Sequence, residues 1–409
     1  MNILLFYFLQ TIILSSCFIP TYLNGKKILL NGPSLSENKK QTLFDGNGCI
    51  TSIVFNNNRA IVSEAMIPYD NDMRFPLSDF MERDYFKILS KLPYIFFGDH
   101  DIQSGTRNTA VQKLNGKFYA VEESCRPYEL YYENDIIKLG VPSKTIDRMA
   151  AHLLDDNTFF SYTLFDKYPL KINNTISIPW SPLKQPAVVH DGVDTYDKRY
   201  FIFPLTSTGM GRMHDYLCGD LNVPFDDKLN KGGWLIYDRE NHKCKEILMD
   251  EYVDLFHISH IEHIKDNIHK LYVPFIYNFT KWVSNDTVPL NIFLKTVTLD
   301  LTKYEIISCD ETNIRMDFIN KEDDVLIGCS LCKKNQVVFY NIKSKSSKKL
   351  KIPGENVREI VPYRDILMYF SHENKNSRTY FYIVSKKNAD VISKIPVPNR
   401  PPGFHTTFF

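Results

Sequence analysis

Short apolar runs alternate with turns over almost the whole chain, and this pattern constrains the fold more than any other feature. From about residue 44 onward there are eleven runs of seven to ten residues, each rich in β-branched and aromatic side chains and bounded by Gly, Asn, Asp, Pro or Lys. Such runs are typical of β-strands. Examples are GCITSIVF at 48–55, GGWLIYDR at 232–239 and RTYFYIVS at 378–385. The sequence therefore predicts an all-β fold.

No linker or change of composition divides this β-rich stretch, so residues 24–409 are predicted to form a single domain. Many short strands in one undivided domain favour a closed or radially repeated architecture. With about 50 residues per blade, the length predicts a seven-bladed β-propeller. A pair of β-sandwiches is the alternative. Helical patterns are few, at residues 34–41 and 142–154, and would form short helices in a cap.

The first 23 residues differ from the rest of the chain. They are almost wholly apolar from Ile3 to Leu14, and small residues follow at positions 15–17. This is the pattern of a secretory signal peptide, although no Lys or Arg precedes the apolar run. We predict a signal peptide over residues 1–23, with an uncleaved anchor as the alternative. The protein would then belong to the secretory pathway, secreted or membrane-associated.

Charge and cysteine content exclude some classes of function. The formal net charge is +1, so the overall charge does not favour a nucleic-acid partner, and none is expected. The one basic run, Lys343–Lys351, is interpreted as a solvated turn between strands. After residue 23 there are seven cysteines at irregular spacings, which is a poor disulfide framework.

Four of the eleven histidines border apolar runs instead of lying in polar loops: His152, His190, His257 and His405. They are too far apart in the chain to form one local metal-binding loop. In a propeller, however, the inner strands of different blades converge on a common axis. Neutral imidazoles that converge there would bind a divalent transition-metal ion.

Seven segments carry a family likeness when they are taken in chain order. They are LLNGPSLSENKKQTLFDGNGCITSIVF (29–55), RNTAVQKLNGKFYAVEESCRPYEL (107–130), MAAHLLDDNTFFSYTLF (149–165), VVHDGVDTYDKRYFIFPL (188–205), GGWLIYDR (232–239), VREIVPYRD (357–365) and IPVPNRPPGFHTTFF (395–409). In this order they resemble the motifs of the carotenoid cleavage oxygenases. The likeness extends over roughly residues 29–409.

The resemblance implies a seven-bladed β-propeller with Fe(2+) on its axis, held by four histidines from different blades. Matched motif by motif, these ligands are His152, His190, His257 and His405. In the family, glutamates accept hydrogen bonds from the non-ligating N–H of three of the histidines. Such partners fix the tautomer and the orientation of each ring. The positions that match two of these glutamates are Glu123 and Glu359.

Departures from the family pattern fall in two motifs near the predicted ligands. Arg315 stands where the third glutamate is expected, and an arginine there would oppose the charge of the metal. Asp317, two residues on, could replace the glutamate only if the strand shifts its register. The third histidine motif reads HISHIEH, in which His260 and His263 replace an Asn and a Glu of the family pattern. We favour His257 as the ligand, with His260 as the alternative.

By resemblance, the chain is expected to be a non-haem Fe(II)-dependent dioxygenase. It would use O2 to cleave a carbon–carbon double bond of a carotenoid, apocarotenoid or stilbene-like apolar substrate. The apolar segment Lys91–Phe97 would make peripheral membrane contact, with ordinary packing as a strand as the alternative. One alternative is an isomerase or hydrolase with the same fold. The other is a catalytically degenerate secreted propeller that acts as a lipid-binding or interaction module.

Overall fold

The computed structural model describes thirteen stretches of the chain. They are residues 13–15, 18–33, 48–68, 107–122, 125–162, 169–180, 187–207, 231–278, 290–330, 335–373, 377–399, 403 and 405–409. These residues form seven antiparallel sheets, which follow one another along the chain as the blades of a propeller. The predicted seven-bladed β-propeller is therefore confirmed, and the alternative of two sandwiches is excluded.

The first four blades contain strands of unequal length, and in blade 1 the short strand β1 pairs with β4 at the edge opposite β30. Their strands are β1 (Ile13–Ser15), β2 (Lys27–Pro33), β3 (Gly48–Asn56) and β4 (Arg59–Met66) in blade 1; β5 (Ala110–Leu114), β6 (Lys117–Val121), β7 (Tyr128–Glu133) and β8 (Ile136–Pro142) in blade 2; β9 (Leu153–Asp155), β10 (Thr158–Tyr162), β11 (Leu170–Ile172) and β12 (Ile176–Ser177) in blade 3; and β13 (Ala187–Val188), β14 (Val193–Asp194), β15 (Tyr200–Ser207), β16 (Lys231–Asp238) and β17 (Lys243–Tyr252) in blade 4.

The last three blades are regular four-stranded sheets, and one further strand follows them. These strands are β18 (His260–Lys265), β19 (Ile268–Ile276), β20 (Ile292–Asp300) and β21 (Glu305–Ile314) in blade 5; β22 (Asp317–Glu322), β23 (Val325–Cys329), β24 (Gln336–Asn341) and β25 (Ser346–Lys351) in blade 6; β26 (Ile360–Tyr363), β27 (Ile366–Glu373), β28 (Arg378–Ser385) and β29 (Val391–Val397) in blade 7; and β30 (His405–Phe408).

Strand β30 closes the ring. It pairs antiparallel with β2, from Asn31↔His405 to Ile28↔Phe408, so the C-terminal strand becomes the innermost strand of blade 1. The first strands of neighbouring blades contact one another, namely β9 with β14, β22 with β26, β26 with β30 and β30 with β5. These contacts place the beginning of each blade around a common axis.

Apolar packing between the blades explains why the ring is stable. Each pair of neighbouring blades shares a cluster of buried side chains, including the pair formed by blades 7 and 1. Phe160 of blade 3 packs on Phe203 of blade 4, with ring centroids 5.3 Å apart. Since both faces of every sheet are covered in this way, each blade is stabilised by two neighbours. Burying one such aromatic side chain contributes about 1.5–3 kcal/mol.

All eleven strands predicted from sequence are present, with ends shifted by a few residues. The helix predicted at residues 142–154 is wrong: this segment is irregular, and the Ser143 hydroxyl accepts from the backbone N–H of Thr145 and Ile146 instead. The other predicted helix, at 34–41, lies outside the described residues. Among the described residues the only helix is a 3₁₀ turn at Thr21–Leu23.

Two further predictions concern residues 343–351 and residues 1–23. Two-thirds of Lys343–Lys351 is not a turn, because its last six residues form the exposed outer strand β25. The signal peptide over residues 1–23, and the secretory localisation inferred from it, remain predictions. Within that segment, Ile13–Ser15 pairs with β4, while Ile19 and Leu23 are buried between blades 1 and 7.

Candidate metal centre

Four histidine side chains meet at the centre of the ring. They are His152, His190, His257 and His405, and each offers one ring nitrogen such that all four atoms lie within 4.8 Å of one another. The six distances between their ring centroids lie between 4.6 and 5.9 Å. Rings this close, and mostly edge to face, surround a volume about the size of one metal ion and its bonds.

Each histidine comes from a different blade and lies in or next to an inner strand of that blade. His152 directly precedes β9, His190 lies between β13 and β14, His257 precedes β18, and His405 opens β30. The propeller geometry thus explains how residues so distant in sequence come together. Small or apolar neighbours let these segments approach the axis, as at Ala151, which is fully buried beside His152.

A buried carboxylate fixes the orientation of His257. Its Nδ1 lies 3.0 Å from Oδ1 of Asp317, the first residue of β22. The pairing of β22 with β23 shifts register between Asp317 and Asn320, and Phe318 has a φ of +50°. This bulge is the register shift that Asp317 needs in order to replace the glutamate of the family pattern. Arg315 lies elsewhere: its side chain is exposed and its guanidinium is 4.4 Å from the centroid of the Phe293 ring.

Glu359 plays the same part for His405. Its Oε2 lies 3.5 Å from His405 Nδ1 and also accepts a hydrogen bond from the backbone N–H of Thr406 at 2.5 Å. Glu359 directly precedes β26, so the carboxylate comes from blade 7 and the imidazole from the closing strand of blade 1. The predicted proximity of Glu359 to the histidines is therefore what the geometry shows.

The sequence reasoning missed Asp191, which connects three of the four histidine segments. It follows His190, its Oδ1 accepts from the backbone N–H of Gly192 at 2.7 Å, and its Oδ2 accepts from the N–H of Ile258 at 2.8 Å. The same Oδ1 lies 4.0 Å from His152 Nδ1. The signal was present as the Asp of VVHDG, whose apolar flank predicts burial for an acidic side chain.

The pKa values of His152 and His405 favour neutral rings that can bind a metal, whereas the pKa of His257 is raised. Burial, followed by the charges of the other three histidines, lowers the pKa of His152 well below its ordinary value. Burial also lowers the pKa of His405, against the hydrogen bond and charge of Glu359. Burial alone would lower the pKa of His257, but the charge and hydrogen bond of Asp317 outweigh burial and raise the pKa to about 9. The 3.0 Å contact with Asp317 holds the Nδ1–H and directs Nε2 toward the centre, where a binding metal ion would displace the Nε2 proton.

The donor atoms also fit a cation. The Nε2 atoms of His152 and His257 are buried and have no hydrogen-bond partner in the structure. A buried nitrogen without a partner costs about 1–3 kcal/mol, and a metal ion on the axis would remove that cost. Three carboxylates, of Asp191, Asp317 and Glu359, lie close behind the rings. They would offset the charge of a divalent ion held by neutral imidazoles.

Several sequence predictions fall outside this cluster. His260, the alternative third ligand, lies in β18 and stacks on Tyr272 with centroids 5.7 Å apart. Burial, with Lys321 nearby, lowers the pKa of His260 to about 4. The structure thus brings His257, and not His260, into the cluster. Glu123 and the segment Lys91–Phe97 lie outside the described residues, so their predicted roles remain predictions.

The fold and the axial histidines define the class of protein, a seven-bladed β-propeller with a candidate metal centre. The family model described as retinal pigment epithelial membrane protein (RPE65) matches residues 13–263. The chain therefore belongs to this family, that of the carotenoid cleavage oxygenases. No curated protein matches the chain by sequence.

Solved structures share the fold over the whole chain. A variant of the Synechocystis apocarotenoid oxygenase is 14% identical, with a TM-score of 0.67, and 98% of this chain covers 96% of that one. The cobalt-substituted form of the same oxygenase is 13% identical, with a TM-score of 0.66 and the same coverage of 98% and 96%. A chimera of that oxygenase with RPE65 is also 13% identical, with a TM-score of 0.67 and coverage of 98% and 96%. At this identity the likeness shows the fold.

We expect Asp317→Ala to weaken metal binding without unfolding the propeller. His257 would lose the acceptor that fixes its tautomer, and losses of this kind cost about 10–100-fold in metal affinity. Asp317→Asn should cost less, because its amide oxygen still accepts from Nδ1–H. Competition with a chelator of known affinity measures the change, and Asp310→Asn, an exposed carboxylate in β21, is the control. Equal metal affinity in Asp317→Ala and wild type would contradict this role.

Proposed function

We propose that this chain is a non-haem Fe(2+)-dependent dioxygenase that cleaves a carbon–carbon double bond of a carotenoid, apocarotenoid or stilbene-like substrate. The observation that carries the proposal is the cluster of four imidazoles from four blades, with two buried Nε2 atoms that lack a partner. Membership of the carotenoid cleavage oxygenase family supports the reaction class. The resemblance of its motifs supports iron as the metal.

Some residues of the chain would hold the metal ion, and others orient the residues that hold it. The four imidazoles would hold Fe(2+), which when bound supplies the activation of O2 toward an electron-rich double bond. Four protein ligands would leave positions on the ion for O2 and the substrate. Asp317, Glu359 and Asp191 keep the ring nitrogens directed at the axis and provide negative charge behind them. No side chain of this set needs to gain or lose a proton during the reaction.

The surroundings of the histidines fit an apolar substrate. Phe318 lies against both His257 and His405, with ring centroids 5.5 and 5.6 Å apart. Phe256 lies 6.0 Å from the ring of His190. Aromatic walls exclude water and suit a conjugated hydrocarbon. They would not suit a polar substrate. Among the residues that the structure describes, no helix has the length and hydropathy needed to cross a bilayer.

Iron content and oxygen incorporation test the proposal. Anaerobically reconstituted wild-type protein should hold about one Fe(2+) per chain; His257→Ala should lose it and His260→Ala should keep it, because only His257 is in the cluster. Incubation with carotenoids, apocarotenoids and stilbenes under ¹⁸O2 should give two carbonyl products that carry the label. Product formation without label would instead favour an isomerase or hydrolase. If wild-type protein binds no iron, the proposal of an enzyme fails and the alternative of a lipid-binding or interaction module remains.

A further inference from the structure

A second pair of histidines lies in the first hairpin of blade 5, next to the turn between β18 and β19. His263 in β18 and His269 in β19 are directly opposite each other across the antiparallel hairpin, with ring centroids 5.2 Å apart. His263 is one of the two residues of the HISHIEH stretch that depart from the family pattern. The proposed oxygenase reaction gives this pair no role.

His269 occupies a position where an apolar residue is expected. Along β19 the side chains of Leu271, Val273 and Phe275 point to the same face and are fully buried between blades 4 and 5. His269 continues that row and is only 1% exposed. Both of its ring nitrogens are buried without a hydrogen-bond partner. Each such group costs about 1–3 kcal/mol, so the position is expensive unless a ligand binds there.

The other imidazole is oriented for coordination. His263 is exposed, and its Nε2 lies 2.9 Å from the backbone carbonyl oxygen of Asp266 in the hairpin turn. A ring that donates Nε2–H to a carbonyl presents its Nδ1 lone pair to the other side, as metal-bound histidines commonly do. Cross-strand neighbours have Cβ atoms about 4.5–5.5 Å apart, which lets two imidazoles share one ion.

Negative charge for a cation comes from the neighbouring blade. Asp197, in the turn between β14 and β15, is exposed and close enough to His269 that the two groups shift each other's pKa. Burial, followed by His263, lowers the pKa of His269, so its ring is neutral and able to coordinate at neutral pH. The Oδ1 of Asp197 already accepts from Thr195 and from the N–H of Arg199.

We propose that His263 and His269, with Asp197 adding negative charge, form a second site for a divalent transition-metal ion that prefers imidazole, such as Zn²⁺. His269 is buried and His263 is exposed, so water would fill the remaining positions on the side of His263, where the site is open to exchange. The site lies between blades 4 and 5. A bound ion there would stabilise the folded protein by mass action.

Zinc binding by the iron-loaded protein tests this site. Iron is measured throughout, and bound Zn²⁺ is corrected for any iron released, so the axial centre is accounted for separately. Wild type should bind about one additional Zn²⁺ per chain by equilibrium dialysis, and His263→Gln should weaken that binding by about tenfold or more. His260→Gln, on the same strand but stacked on Tyr272, is the matched control and should bind Zn²⁺ as wild type does.

A second variant removes the buried ring. His269→Leu extends the apolar row of β19, so without zinc it should be at least as stable as wild type, and it should not bind the additional Zn²⁺. Zinc should raise the unfolding midpoint of wild type but not that of His269→Leu. The proposal is overturned if wild type binds no additional Zn²⁺, or if His263→Gln and His269→Leu bind it unchanged. Either result leaves the iron content, and with it the proposed function, unaffected.

Discussion

Protein that ends at residue 403 is expected to lose its metal and a large part of its stability. The deletion removes β30, and with it His405 and the hydrogen bond from Thr406 N–H to Glu359. It also removes the bond from the Thr407 hydroxyl to the carbonyl of Val111 in blade 2. Several hydrogen bonds at about 1 kcal/mol each give a loss of roughly 3 kcal/mol or more. Strand β2 would then be an unpaired edge, which promotes aggregation.

Chemical denaturation and iron analysis separate the two losses. His405→Gln keeps strand β30 and should lose the metal with a much smaller change in unfolding midpoint. Phe409→Ala should keep the metal and lower the unfolding midpoint. Its ring packs edge to face on Phe118, with centroids 4.7 Å apart, and it does not belong to the histidine cluster. Truncated protein that retains one iron per chain would show that the fourth histidine is dispensable.

The sequence predicted the blades well because each strand is determined locally. Runs such as QVVFYNI and DILMYFS alternate or cluster apolar residues over the length of one strand and end at turn residues, so the pattern needs no distant information. The irregular segment 142–154 was mistaken for a helix because its spacing of Ile146, Met149 and Ala150 is helical. In the structure Ile146 and Met149 are buried between blades 2 and 3 and Ala150 between blades 3 and 4, and helix propensity alone does not contain these contacts.

The candidate site was only partly predictable. The four histidines could be named because motifs identify them, but their convergence depends on ring closure by β30, a contact between the two ends of the chain. Asp317 was uncertain because a bulge with a positive φ at Phe318 decides which way its side chain points. Asp191 was overlooked, since its partners Gly192 and Ile258 are set by tertiary structure and not by spacing.

Asp191→Ala is expected to cost both stability and metal. It leaves two buried backbone donors, the N–H groups of Gly192 and Ile258, without their acceptor, at about 1–3 kcal/mol each. Because these donors lie next to His190 and His257, both imidazoles lose the support that holds them at the axis. We expect about a 10–100-fold loss of metal affinity, the range found when the partners behind metal ligands are removed.

A neighbouring carboxylate distinguishes this positioning role from a general loss of stability. Asp194 is also buried and pairs with Lys198 at 3.1 Å and Arg239 at 3.4 Å, and none of these three residues belongs to the histidine cluster. Asp194→Ala should therefore lower the unfolding midpoint and leave the metal affinity unchanged. Asp191→Asn keeps one oxygen acceptor, so its affinity should fall between those of Asp191→Ala and wild type. If Asp194→Ala and Asp191→Ala lose metal to the same extent at matched stability, Asp191 acts only through the fold.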